Sequence, residues 1–412
     1  MTARTKTLIL IAALGSILIS AVALILPFRP ATNQKGAALF PIIENGKYGY
    51  IDQTGKVVIK PQFDTAKRFF EGLARVRVGD KWGFIDPAGR IVIQPQFELD
   101  RNDHDNDPSL DFHEGMAAVS RDKGSKWGYI DQTGKTIIAP KYAMVSRFSE
   151  GIAQVYTEYP VTIRQEFPHR SPEPVIHSAY IDKTGKNLNF PLVGESFSEG
   201  LAVVSQGKDE NRKQGYIDKT GRVRIEPQFA IARPFREELA CVRPTNTSEW
   251  GYIDKTGKMI IQPRSFNEQR GPGDFYEGLA SMTSLTTHNS GFIDKTGNFS
   301  IRPKFLVVGR FSDGVAGACA EDATAHSGEG GATCGYIGRT GEWVIHLSPD
   351  RVVMSDFYGG LALVCGEDFC GYINKKGDYV WRAKERFDPR RLVGCTVWNL
   401  GEPDYGEDSC QH

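Results

Sequence analysis

The side chains able to do chemistry in this chain are carboxylates, imidazoles and thiols, and their spacing decides which chemistry is open to them. Seven aspartates, Asp52, Asp86, Asp131, Asp182, Asp218, Asp254 and Asp294, recur at one place in a repeated phrase, where Gly338 and Asn374 stand in two further copies. Carboxylates in register could form a row of cation ligands. Each, however, opens a turn, where an Asp side chain accepts a hydrogen bond from the backbone two residues on. Turn capping is the expected role. Asp103-His104-Asp105-Asn106-Asp107, with Glu114 further along, has the spacing of a calcium loop, but Pro108 stands where such a loop needs Gly for its sharp bend. A solvated acidic insertion is expected there, and no metal ligand is assigned.

The eight histidines, at 104, 113, 169, 177, 288, 326, 346 and 412, fall in loops and insertions and share no column. No His-Glu-x-x-His, Gly-x-Ser-x-Gly or Gly-rich phosphate loop followed by Lys-Ser/Thr occurs. No catalytic residue, cofactor site or metal site is expected, and the chain is read as a non-enzyme. The 50 Lys+Arg residues balance 50 Asp+Glu. That balance argues against a nucleic-acid partner, which would need a basic footprint.

The elements that carry these residues come from one phrase written nine times. Tyr48-Gly49-Tyr50-Ile51-Asp52-Gln53-Thr54-Gly55-Lys56 returns from Trp82, Trp127, Ser178, Gln214, Trp250, Ser290, Cys334 and Cys370. Its third position is always Tyr or Phe and its fourth always Ile. Its eighth is always Gly: Gly55, Gly89, Gly134, Gly185, Gly221, Gly257, Gly297, Gly341 and Gly377. A recurrence every 34 to 51 residues marks a repeat array. In Trp82-Gly83-Phe84-Ile85 the aromatics alternate at period two, as in a strand. Asp86-Pro87-Ala88-Gly89 is turn chemistry, and Ile91-Val92-Ile93 starts a second strand that stops at Pro95.

A second block, Phe69-Phe70-Glu71-Gly72-Leu73-Ala74, is matched at Phe112, Phe148, Phe197, Phe235, Phe275, Phe311 and Phe357. It reads as a bend at the Gly and a third strand that pairs with the next copy. The fold expected is all-β: a tandem array of about nine three-stranded antiparallel meanders, open at both ends. A closed propeller, which usually has four to eight four-stranded blades, is the alternative.

Lys81-Trp82-Gly83-Phe84-Ile85-Asp86, the turn Gly, Ile93-Gln94-Pro95-Gln96-Phe97 and the Phe-x-Glu-Gly-Leu-Ala block together resemble the WG repeat (KWG) family of bacterial proteins. The resemblance covers residues 37 to about 381 and departs from the pattern at Ser178, Ala179, Gln214 and the Cys of the last two copies. It implies a repeat scaffold without assigned activity, and no catalytic residues to carry over.

Those cysteines form columns of their own. Cys319 and Cys365 share one and Cys334 and Cys370 another, and the paired change predicts disulfides Cys319–Cys334 and Cys365–Cys370. Cys395 and Cys410 would then pin the tail, leaving Cys241 unpaired. At the N-terminus, Arg4 and Lys6 precede an uncharged run, Leu8 to Leu26, close to the ~20 residues that span a bilayer. Residues 1–28 are therefore read as an uncleaved signal-anchor, followed by a linker at 29–36, the array at 37–381 and a tail at 382–412. Cleavage and secretion is the alternative. With the array outside the cytoplasmic membrane, the leading functional expectation is an envelope interaction scaffold whose partners are envelope proteins. A wall-polysaccharide binder using loop aromatics is the alternative, and a hydrolase built on insertion loops a third reading. The insertions 98–111, 156–177, 264–274 and 320–333 are where binding is expected.

Overall fold

The computed structural model describes residues 38–98, 110–121, 126–157, 178–208, 211–264, 271–321, 332–347, 353–366, 369–385 and 387. The expected signal-anchor and linker, the acidic segment 103–108 and the cysteines 395 and 410 fall outside the described residues. Among the described residues, no helix is long and apolar enough to cross a membrane.

The described chain is built from antiparallel strands, and its first two units show the plan. Unit 1 is a three-stranded meander of β1 (Phe40–Glu44), β2 (Lys47–Ile51) and β3 (Val57–Phe63). Unit 2 has four strands in chain order: β4 (Thr65–Phe70), β5 (Leu73–Val78), β6 (Lys81–Ile85) and β7 (Ile91–Phe97). The expected three-stranded meander is thus one strand short. The residues before each Glu-Gly pair fold back onto the Leu-Ala strand, because Glu71 (φ 49°) and Gly72 (φ 83°) both take the left-handed conformation that a two-residue hairpin loop requires. Four-stranded sheets recur at 275–305, 307–347 and 353–382, and units 5 and 6 share one six-stranded sheet. In other units the same hairpin survives as a bridge, such as Ser149 with Ile152 and Ser198 with Leu201.

The repeated phrase lies in the middle of each sheet. Trp82, Gly83, Phe84 and Ile85 are all buried, because β6 has a neighbouring sheet on each side instead of one dry and one wet face. The outer strand β7 buries Ile93 and Phe97, half-buries Pro95 and Gln96 and exposes the rest. Between those two residues it bulges: Trp82 faces Phe97 and Phe84 faces Ile93, so two steps along β6 oppose four along β7. Gly83 sits under the bulge. A Cβ there would lie 2.5 Å from the Ile93 carbonyl oxygen and 2.7 Å from the Pro95 nitrogen. The Gly of the phrase and the Pro of the outer strand are therefore one device, and a bulged, Pro-bearing edge also blunts further strand pairing. Unit 4 supplies the contrast. Ala179 replaces the Gly, and there the outer strand shrinks to a single bridge between Ile181 and Asn187.

Successive units are joined by one set of contacts. The third-position ring packs on the block Phe of the next unit: Tyr50 on Phe69 at 5.0 Å, Phe84 on Phe112 at 4.8 Å, Tyr216 on Phe235 at 4.9 Å and Tyr336 on Phe357 at 4.7 Å. Where the ring is Tyr, its hydroxyl donates to a backbone carbonyl of that next unit, as from Tyr50 to Lys67 (2.7 Å) and from Tyr216 to Arg233 (2.8 Å). The turn Gly faces the opposite way. A Cβ on Gly89 would touch Ile59 of the preceding unit, and one on Gly257 would touch Ile225.

The two ends of the array, expected to be free, meet instead. Tyr372 packs on Phe40 at 5.5 Å and donates to the Pro41 carbonyl at 3.0 Å, so a ring contact and a hydroxyl–carbonyl bond join unit 9 to unit 1, although Phe40 stands in the column of Ala74 and not of the block Phe. The turn Gly55 abuts the Val380 backbone, Gln53 donates to the Gly359 carbonyl at 2.6 Å, and Lys384 pairs with Glu44. One core cluster contains Phe40, Ile42, Tyr50, Leu361, Leu363 and Tyr372 together. Complementary surfaces are the reason. Every interior unit presents a ring column on one side and a Phe pocket on the other, so an array curved enough to bring its ends together buries both.

Candidate functional site

The aspartate column proves to be structural. The Asp52 Oδ1 accepts from the Thr54 N–H (2.8 Å), the Thr54 hydroxyl (2.6 Å) and the Lys56 N–H (3.1 Å). The same three bonds recur at Asp131, Asp182, Asp218, Asp254 and Asp294. Hydrogen bonding to the ionised form holds these carboxyls below their usual range, and Asp218, bonded first to Thr220, falls to about 2. Asn374 makes the two backbone bonds with a neutral amide, so no metal charge is called for at that position. Among the described residues, no cluster of three or more His, Cys, Asp or Glu could hold a metal ion.

The block carboxylates, Glu in most units and Asp313 in unit 8, form a second chain of contacts. Each reaches into the next unit and accepts from the backbone N–H at that unit's own Glu-Gly turn. Glu114 accepts from Gly151 (2.8 Å), Glu237 from Gly278 (2.8 Å) and Asp313 from Gly360 (2.8 Å). A basic residue after the turn Asp closes the clasp, as in Lys183–Glu114 at 3.1 Å, Lys255–Glu199 at 3.1 Å and Lys295–Glu237 at 3.1 Å. Burial disfavours the Glu114 carboxylate, but the bonds from Lys183 and Gly151 outweigh it and hold its pKa below the ordinary value. Glu114 is therefore engaged in this clasp. Where unit 9 has Gly359 instead of Glu, the partner position in unit 1 is the neutral Gln53.

The thiols occupy one cross-strand site. Cys319 faces Cys334 and Cys365 faces Cys370 in register, and both pairs are disulfide-bonded. In unit 2 the same site holds Arg77 opposite Trp82, with the guanidinium 5.9 Å from the ring centroid. In unit 7 it holds Thr283 and Ser290, 2.9 Å apart. Cys241 is buried and free, and burial pushes its thiol up to about 12.

These placements divide each unit into two unlike ends. The Glu-Gly hairpins and the Asp turns lie together at one end, since the β4–β5 and β6–β7 connections of a meander fall on the same side. The β5–β6 connection and the passage between units fall on the other. The strand ends that flank the four expected insertions lie at that second end: those of 156–177 and 320–333 between the second and third strands of their units, those of 98–111 and 264–274 between units, while most residues of the insertions fall outside the described residues. The first end is occupied nine times by structural turns. The aromatic columns are closed to ligands, with Tyr50, Tyr129, Tyr216 and Tyr372 no more than 1% exposed.

Comparison with known proteins matches this plan to one family. The family described as WG containing repeat matches residues 48–82, 82–99, 127–158, 215–243, 250–282 and 291–322. No curated protein matches the chain. Among solved structures, apo AztD from Citrobacter koseri is 12% identical over 88% of this chain and 96% of that one, with a TM-score of 0.37. The WD40 domain of SCAP from fission yeast is 6% identical over 84% and 97%, with a TM-score of 0.31. Both likenesses are too distant to bear on function. The family matches fall on the Gly-aromatic phrase, its turn and the Pro-bearing outer strand, which are the parts that build and join the units, and the chain is accordingly a member of the WG-repeat family.

Proposed function

We propose that the chain is a non-enzymatic interaction scaffold of the bacterial cell envelope, its nine units closed into a propeller-like ring that carries variable insertions at one end. The observation that supports this reading is the segregation of the two ends. Every long insertion opens opposite the Asp turns and Glu clasps, so segments free to vary are gathered on one side of a scaffold that fixes their spacing. The two disulfides favour an oxidising compartment. The uncharged run from Leu8 to Leu26 after Arg4 and Lys6 favours an uncleaved membrane anchor with the array outside.

The test is crosslinking in intact cells with photoreactive residues placed at the two ends. Position 160, inside an insertion, is expected to capture an envelope protein, whereas position 133, on an Asp turn, is expected to capture none. Partners captured from the turn end alone would contradict the reading. Retention of the purified chain on peptidoglycan, lost when Tyr159 and Phe167 become Ala, would favour the polysaccharide reading instead.

A further inference from the structure

The cross-strand site that holds the disulfides in units 8 and 9 holds Arg243 and Trp250 in unit 6. Val242 pairs with Gly251, and their neighbours come next across the strands Ala240–Pro244 and Trp250–Ile253. Other units close this site internally. Ser205 accepts from Gln214 at 3.4 Å and from Arg212 at 3.0 Å, Thr283 and Ser290 bond each other, and the cysteine pairs are bridged. Unit 2 is the closest comparison, because it also sets an Arg against a Trp. There Arg77 lies in register with Thr65, whose hydroxyl accepts from its Nε at 3.2 Å and its Nη2 at 2.9 Å. In unit 6 the residue in register with Arg243 is Ile231, which offers no side-chain acceptor.

Two donors are left over as a result. Trp250 is 4% exposed, and its indole N–H is buried with no hydrogen-bond partner among the described residues. The Nε–H of half-buried Arg243 is in the same condition. The Arg243 guanidinium lies 5.7 Å from the centroid of the Trp250 ring, and Arg233 brings a second one to 5.3 Å, itself donating to the Pro272 carbonyl at 2.8 Å. A buried donor left unmade costs its full desolvation, most of all when it is charged, and an Arg cannot shed its charge.

We infer that Arg243 and Trp250 form a binding site for a carboxylate, one oxygen accepting from the Arg243 Nε and the other from the Trp250 indole nitrogen. Two donors from unlike groups match the two oxygens of a carboxylate. A phosphate, with more free oxygens, would bury at least one of them without a donor. Arg243 is half-buried and therefore reaches the surface, and it turns aside as the carboxylate enters. Gly271 keeps the indole edge free: a Cβ there would lie 3.2 Å from the ring atom that carries the indole nitrogen. The site lies at the insertion end, where acidic side chains of a protein partner could supply the carboxylate. It does not rest on the scaffold reading, since a free small carboxylate would use the same two donors.

The test is a titration of the isotopically labelled full chain, read at the indole N–H resonance of Trp250. Sodium acetate is the probe, and sodium chloride at equal ionic strength is the reference. Acetate is expected to shift that resonance saturably, with a Kd of about 1–10 mM. The Trp82 resonance is expected to stay in place, because Thr65 already serves Arg77. Ile231→Thr supplies the internal acceptor and is expected to weaken acetate binding about 10-fold, while Arg243→Gln is expected to abolish the shift. A Trp250 resonance that moves equally with acetate and chloride, or that moves as far in Arg243→Gln as in the unsubstituted chain, would overturn the inference. So would inorganic phosphate that binds more tightly than acetate. A tetra-aspartate peptide that binds about 10-fold more tightly than acetate would assign the carboxylate to an acidic peptide, and equal affinity would assign it to a free small carboxylate.

Discussion

Gly83 is the residue that most directly couples the phrase to the outer strand. Gly83→Ala places a methyl group 2.5 Å from the Ile93 carbonyl, and backbone must move to admit it. The expected cost is about 1–3 kcal/mol, read as a lower midpoint in urea. Ala179→Gly, where no bulged strand lies alongside, is expected to leave the midpoint within about 1 kcal/mol, the scale of the glycine backbone penalty. The turn aspartates set the response to acid. The bonds from Thr220 and the neighbouring backbone hold Asp218 at about 2, below the value of about 3.9 for a free Asp. A carboxyl whose pKa is lower folded than unfolded contributes its stability above the unfolded value and loses it as pH falls through the folded one. Unfolding is therefore expected to set in below about pH 4 and steepen toward about pH 2. Asp218→Asn is expected to flatten that slope and to lower stability modestly at neutral pH, since a neutral amide keeps the backbone bonds, as at Asn374, but gives up the charge-assisted bonds from Thr220 and Arg224. Circular dichroism at stepped pH reads both effects. Cys241, buried and with its thiol raised to about 12, is expected to resist alkylation until the chain unfolds.

At the scale of elements, the Glu-Gly hairpin was the part least legible in the sequence. The phrase, its turn and the cysteine columns could be read directly, because alternation, Asp-Gly turn chemistry and paired substitution are local signals. Glu71, Glu114 and Glu277 take positive φ, which their residue type disfavours, and the strand before them is as short as Phe275–Tyr276. What offsets that conformation lies in the next unit, in the N–H groups and lysines that the carboxylates reach. No local pattern announces such a partner; the Lys after the turn Asp in units 4 to 7, Lys183, Lys219, Lys255 and Lys295, each facing a block Glu, is the signal that could have. Glu237→Ala removes the acceptor for Gly278 and the partner of Lys295 together. The expected loss is about 1 kcal/mol, with Lys295→Ala in the same background adding little in a double-mutant cycle. Replacing Cys319 and Cys334 with Ser opens a bridge of sequence separation 15 and is expected to cost about 3 kcal/mol.

For the whole molecule, the decisive feature is that unit 9 meets unit 1: Tyr372 packs on Phe40, the Gly55 turn abuts the Val380 backbone and Gln53 donates to the Gly359 carbonyl. Residues 40–53 and 358–385 lie more than 300 positions apart, so nothing in their local sequence foretells the meeting. The ring column, read cyclically, does carry the information: Tyr372 needs a Phe pocket, and Phe40 is the aromatic available to fill that role. The same contacts explain why function is sought at one end, since the turn end and the aromatic interior are both committed to construction. The most direct measurement is the distance between nitroxide labels at Lys56 in unit 1 and Asp378 in unit 9, both exposed, determined by pulsed electron resonance on the full chain. Closure predicts a separation within about 20 Å, two sheet spacings. A separation near 80 Å, as expected for nine sheets stacked in an open row at about 10 Å each, would contradict it.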